Sequence, residues 1–184
     1  MDMKRSSFGN EHRRYTLTRR WSDNDELGWM QIIMLNPSVG DDQIDDPTIR
    51  RCIAFAQRDG YGGISLRNLF SFRSPSPAAL RQRLVEGWPH LASDLAFVSM
   101  ALAWAATKND PIKNDPIIVA WGAWPTVWAK QGVPGVRERI DYVTSEAAEQ
   151  GVPLLCWGTT KDGSPRHPLY LKSDTPLVPW EPNL

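Results

Sequence analysis

The sequence predicts an α/β fold: a three-layer α/β/α sandwich with a central, mainly parallel four-stranded sheet plus an N-terminal edge strand or hairpin. Three observations predict it. Apolar strand-like runs and helix-like periodicities alternate four times, as in a parallel sheet covered on both faces. A polar motif follows each apolar run, where loops leave the carboxyl ends of parallel strands and ligands bind. The chain is 184 residues long, which suits one domain spanning 1–184 that folds around its own core.

Taken in order, Arg13 to Trp21 alternates and reads as an edge strand, and Ser22 to Glu26 is a polar turn. Leu27 to Leu35 is an apolar run too short for a buried helix and is expected as a central strand. Asn36-Pro37-Ser38 ends it abruptly. Asp46 then Pro47 form a helix start, a capping carboxylate before a residue suited to the first helical position. Ile49, Cys52, Ile53 and Ala56 give that helix one buried face, and it stops near Asp59-Gly60. Gly63 to Phe70 is a second strand, Ser74 to Pro77 a loop, and Ala78 to Leu84 and Leu91 to Ala106 are helices. Residues 109–116 read as a linker-like turn before a third strand, Ile117 to Gly122. Val136 to Gln150 is a helix stopped at Gly151, Pro153 to Gly158 is a fourth strand, and the proline-rich tail after Leu171 wraps the surface.

Lys plus Arg and Asp plus Glu are 21 each, so no bulk basic charge advertises nucleic acid. Lys4, Arg5, Arg13, Arg14, Arg19 and Arg20 nevertheless crowd the N-terminus, as a solvated strand pair or as a phosphate-facing rim. Cys52 and Cys156 lie in apolar surroundings without metal-ligand spacing, which predicts reduced core thiols in a cytoplasmic protein. Neither a signal peptide nor a membrane span is expected, so no membrane partner is either, and a monomer is favoured. Nine tryptophans offer core filling or, where exposed, stacking surfaces.

Four loops carry the chemistry. Asn36 and Asn68 stand at neighbouring strand ends, where an amide that donates and accepts can hold a water or read a polar edge, or can simply close an Asx turn. Asp41, Asp42, Asp45 and Asp46 lack the alternation of a calcium loop; capping and surface charge explain most of them, and Asp41 or Asp42 is a candidate general base. His167, flanked by Pro168, can present a fixed donor to a carbonyl or a developing anion, and Arg166 with Lys161 would suit a phosphate. No metal site is expected, because the acidic cluster lacks a paired histidine and His12, His90 and His167 are scattered without zinc spacing; no cofactor is expected, because no nucleotide-loop, dinucleotide, serine-hydrolase or dithiol motif is present.

The runs LNPSVGDDQIDDPTIRRC, GYGGISLRNLFSFRSPSP, IVAWG and GTTKDGSPRHPLYL resemble the bacterial domain-of-unknown-function family DUF1643 over roughly residues 15 to 172. Their order is also similar to the uracil-DNA glycosylase superfamily. Asn36-Pro37-Ser38 stands where that superfamily has its water-activating loop, Asn68 where a strand ends in a base-reading asparagine, Trp121-Gly122 where a later strand ends, and His167-Pro168 where a histidine loop reaches the base. Ser38 replaces the usual glycine, no aspartate sits beside Pro37, and Leu169-Tyr170 replaces Ser-Pro. The resemblance implies a DNA glycosylase-like hydrolase of a damaged or modified base, in which Asn36 positions water, assisted by Asp41 or Asp42. Asn68 reads the base, Phe70 or Phe72 stacks on it with Trp121 nearby, and His167 stabilises the departing anion. Arg67, Arg73 and Arg166 would grip phosphates of DNA. A non-catalytic nucleic-acid- or nucleotide-binding module and a hydrolase of free nucleosides or nucleotides are the alternatives.

Overall fold

The computed structural model describes residues 2–87, 92–107 and 117–182. His90 and the turn expected over 109–116 lie outside the described residues. The strands are β1 (Lys4–Gly9), β2 (Arg14–Arg20), β3 (Trp29–Met34), β4 (Gly63–Asn68), β5 (Ile117–Val119), β6 (Leu154–Cys156) and β7 (Val178–Pro179). The helices are α1 (Pro47–Arg58), α2 (Pro77–Val85), α3 (Ala92–Thr107), α4 (Trp124–Lys130) and α5 (Val136–Glu149).

All seven strands join one sheet in the order β1-β2-β4-β3-β5-β6-β7. Strands β4, β3, β5 and β6 pair parallel to one another, while β1 with β2, β2 with β4 and β6 with β7 are antiparallel. The expected four-stranded, mainly parallel sheet is therefore corrected to a larger, mixed one. Of the expected N-terminal edge strand or hairpin, the structure has the hairpin: β1 and β2 pair antiparallel at one border, so β2 itself lies inside the sheet, between β1 and β4, and the edges are β1 and β7. The tail does not only wrap the surface, because Val178 and Pro179 pair with Cys156 and Leu155.

Strand alternation sorts the core into two layers. Met30, Ile32 and Met34 of β3 join α1 through Ile49, Cys52, Phe55 and Ala56. Ile33 and Leu35 point to the other face, against Leu80, Leu84, Leu102 and Ile140 of α2, α3 and α5. One helix thus covers one face and the remaining helices pack toward the other. Helix α1 starts as its sequence dictates: Asp46 is the N-cap, its Oδ1 accepting from the Ile49 N–H at 2.9 Å. Such a cap is worth about 1 kcal/mol. Helix α4 is unexpected, begun by Trp124-Pro125 and buried through Pro125, Thr126 and Trp128.

Of the N-terminal arginines, Arg13, Arg14, Arg19 and Arg20 are buried rather than solvated. Arg19 is fully buried, with Nε on Asp45 Oδ1 at 2.6 Å, and Arg20 Nη1 donates to the Leu27 carbonyl at 2.7 Å. Among the described residues no helix is long and apolar enough to cross a membrane.

Candidate functional cavity at the strand ends

The loops that leave the carboxyl ends of β3, β4 and β5, together with the start of α1 and the loop carrying His167, enclose a cavity of about 610 Å³. Asn36, Asn68, Trp121, Gly122, Arg166 and His167, expected from sequence to converge, all line it.

Asn36 is an anchor. Its Nδ2 donates to the carbonyls of Pro37 (3.1 Å), Phe72 (3.2 Å) and Ser74 (2.9 Å), fastening the loop after β3 to the loop after β4. Only Oδ1 remains as a polar atom of that side chain. Asn68 is the opposite case: it is 7% exposed, lines the cavity, and makes no side-chain hydrogen bond among the described residues. Trp121 is buried with its Nε1 unpartnered and its ring edge-on to Trp180 at 5.2 Å. Gly122 adopts φ +78°, which favours glycine, and its N–H donates to the Pro165 carbonyl at 3.0 Å. That turn brings the third strand end against the His167 loop.

His167 Nδ1 accepts from the Leu169 N–H at 3.3 Å. An imidazole nitrogen that accepts carries no proton, so the neutral ring holds its hydrogen on Nε2. Burial lowers the His167 pKa, with Asp46 pulling weakly the other way, so the ring is neutral at pH 7. The result is a fixed donor.

Asp46, 7% exposed, is the carboxylate of the cavity. Asp41 and Asp42 are not in its lining: Asp41 Oδ1 turns back to accept from the Gln43 and Ile44 N–H groups, both at 2.8 Å, and Asp42 is exposed. Those backbone bonds, first of all Gln43, lower the Asp41 pKa. Asp46 escaped sequence reading because its capping role already accounted for it. Gly40 lets the acidic loop close onto α1, since a Cβ there would sit 2.2 Å from Ile49 Cδ1.

Arg67 lies between Leu66 and Asn68 on β4, so it faces the other side of the sheet. There its Nη1 donates to Gln31 Oε1 (2.5 Å) and Ser65 Oγ (2.8 Å), and burial pushes its pKa down to about 10. Phe70 is buried under Arg139, 4.7 Å from its ring centroid, and Phe72 packs its ring against the core of that face. Neither lines the cavity, nor do Arg73 and exposed Lys161. The aromatic surfaces available at the cavity are instead Trp124, 53% exposed, and Tyr170, 82% exposed. Arg14 lines it as well, 4% exposed, with Nη1 donating to the Gly40 carbonyl. Periodicity gave no sign of Arg14, because only tertiary pairing sets β2 beside β4.

A mixed sheet with helices on both faces and a cavity at the ends of its parallel strands defines the class: an α/β protein whose described residues enclose a cavity where ligands of open α/β sheets bind. The chain belongs to the family described as a protein of unknown function (DUF1643), whose model matches residues 14–169. That span runs from Arg14 past His167 and takes in every cavity residue named above except Tyr170. Neither the curated proteins nor the solved structures yield a match to this chain.

Proposed function

We propose that the cavity receives a base joined to its sugar and hydrolyses the N-glycosidic bond, in the manner of a DNA glycosylase. One observation carries the reading: Asn68 at the end of β4, Asp46 at the start of α1 and His167 in the loop after β6 line a single cavity in which His167 is fixed as an Nε2–H donor. Its volume lies within the roughly 300–1,000 Å³ of small-molecule pockets.

In this reading Asn68 reads the polar edge of the base. The bond between the sugar C1′ and the base nitrogen breaks, and both electrons leave with the base. The His167 Nε2–H hydrogen-bonds the resulting anion. A water bonds to C1′ through its oxygen, held by Asn36 Oδ1, and gives a proton to Asp46. The base takes up a proton from solvent as it departs. Asp46 replaces Asp41 and Asp42 in the role of base, because it is the carboxylate of the cavity. Trp124 and Tyr170 replace Phe70 and Phe72 as stacking faces, and Arg166 is the cation at hand for a flanking phosphate.

The test is base release from oligonucleotides carrying uracil, hypoxanthine, hydroxymethylpyrimidines and alkylated bases, and from the matching free nucleosides. Asp46→Asn keeps a good helix cap and is expected to cost base release about 10²–10⁴-fold, the worth of a general acid or base. Asn36→Ala is a poor probe, since it also unfastens two loops. No release across both panels, or full release by a folded Asp46→Asn protein, overturns the proposal.

A further inference from the structure

We propose that Arg51 is a positioning residue of the cavity: by holding the Leu171 carbonyl it fixes the turn that keeps His167 an Nε2–H donor. The proposal rests on the reading above for what that donor does, and on geometry alone for how it is held.

His167 opens a single 3-10 turn, Pro168–Tyr170, and its Nδ1 accepts from the Leu169 N–H inside that turn. The tautomer therefore depends on where one backbone N–H points. Ahead of His167 the backbone is fastened twice: the Gly122 N–H donates to the Pro165 carbonyl and the Arg166 N–H to the Gly158 carbonyl, both at 3.0 Å. Behind it the turn closes through the Leu171 N–H on the Pro168 carbonyl at 3.2 Å. The Leu171 side chain is buried in the layer that α1 shares with β3, which sets where the residue sits. The direction of its carbonyl is set by Arg51, whose Nη2 donates to it across 120 residues of chain. Among the described residues no other donor reaches that oxygen.

Arg51 is itself held still. It leaves α1 one turn before Phe55, and its guanidinium lies 4.8 Å from the centroid of that ring. A planar guanidinium that rests on an aromatic face keeps its fork oriented. Phe55 is buried and stacked on Trp157, with centroids 4.8 Å apart. Arg58, two turns further along the helix, donates to the Ser173 and Thr175 carbonyls at 2.7 and 2.8 Å. It grips the chain beyond the turn, where His167 has no share. In the run Asp45–Cys52, Asp45 holds Arg5 and Arg19, Asp46 caps α1, Ile49 and Cys52 fill the core, and Arg51 is the residue that reaches the His167 loop. The helix capped by the carboxylate of the cavity thus also holds its donor, so one rigid element sets both.

Imidazole nitrogen NMR of the full chain, read well above the His167 titration, reports the tautomer without reference to catalysis. The His167 signals are assigned by their loss in His167→Ala. The unaltered chain is expected to show two widely separated nitrogen shifts, those of an Nε2–H ring. Arg51→Met keeps an apolar stem beside Phe55 and removes the donor; its two shifts are expected to move toward each other as the second tautomer gains weight. Arg58→Gln is expected to leave them where they are. Base release adds a double-mutant cycle. Arg51→Met is expected to lower kcat by up to about 10²-fold, the effect of a slight misplacement, with little change in KM, and to cost nothing further in the His167→Ala background. Unmoved shifts in Arg51→Met, an equal movement in Arg58→Gln, or an additive loss in the cycle overturns the proposal. If Arg51→Met does not fold, Arg51→Gln, too short to reach Leu171, takes its place in both measurements. Moved shifts in a chain that releases no base leave Arg51 in this role and remove the hydrolysis; base release with unmoved shifts does the reverse.

Discussion

Strand β2 buries an arginine toward each end, and both reach into the same acidic loop, yet the two are used differently. Arg19 is saturated: Nε on Asp45 at 2.6 Å, Nη1 on the Thr18 carbonyl at 2.8 Å, and Nη2 on the Asp41 carbonyl. Asp45 in turn takes Arg5 at 2.7 Å. Arg14 gives the loop one bond, to Gly40, leaves its Nε buried without a partner, and lines the cavity. One end of the strand is cement and the other faces an opening. A buried charge with every donor matched holds a fold in place; one left half-matched in a cavity wall is better understood through what enters the cavity.

The largest effect that would sharpen this contrast is on stability. Arg19→Met leaves Asp45 to Arg5 alone and strips the Thr18 and Asp41 carbonyls of their buried donor, and is expected to lower unfolding free energy by about 3 kcal/mol, the low end for breaking a buried ion pair from one side. Urea denaturation should show Arg14→Gln losing much less than Arg19→Met. Equal losses would mean that Arg14 is cement too.

Next in size is a loss of chemistry without a loss of fold. His167→Ala removes the fixed Nε2–H donor and is expected to reduce base release by about 10²–10³, the worth of one donor to a developing anion. Its melting temperature should stay close to that of the unaltered chain, and a collapse of both together would make His167 structural.

The smallest effect is on pH. Burial holds the His167 pKa below the ordinary 6.5. Just under that value the unfolded chain binds more protons than the folded one, so the group's contribution to stability is intact above 6.5 and falls as the pH drops through it. Melting curves should show that fall, diminished in His167→Asn. A profile unchanged by the substitution would place His167 in contact with water.

Much of this was legible because it is local. Asp46 before Pro47 specifies the start of α1 by cap geometry alone, and the Leu27–Leu35 run could only be an inner strand. The convergence of Asn36, Asn68, Trp121-Gly122 and His167 followed from strand ends that must share a rim. Strand order was not legible, because inserting β2 beside β4 depends on pairing across more than forty residues of chain. Helix α4 was hidden inside a motif read as a strand end. Arg67 was assigned to the site although alternation along β4 forbids it and Asn68 from facing the same way. Asp46 was discounted because one role explained it, and a capping carboxylate can still present its second oxygen.

The two rims of the sheet carry a further consequence. An exposed strand edge invites the strand of another copy, and each border here discourages that encounter. Strand β1 opens with Lys4 and Arg5, charged residues ion-paired to Asp23 and Asp45, of the kind that blunts an open edge. At the opposite border β7 is only two residues long and ends in Pro179, which has no N–H to offer. A chain with a large mixed sheet and nine tryptophans is thereby guarded against growing into a fibre, and removing the residues from Val178 onward would expose β6 as a sticky margin.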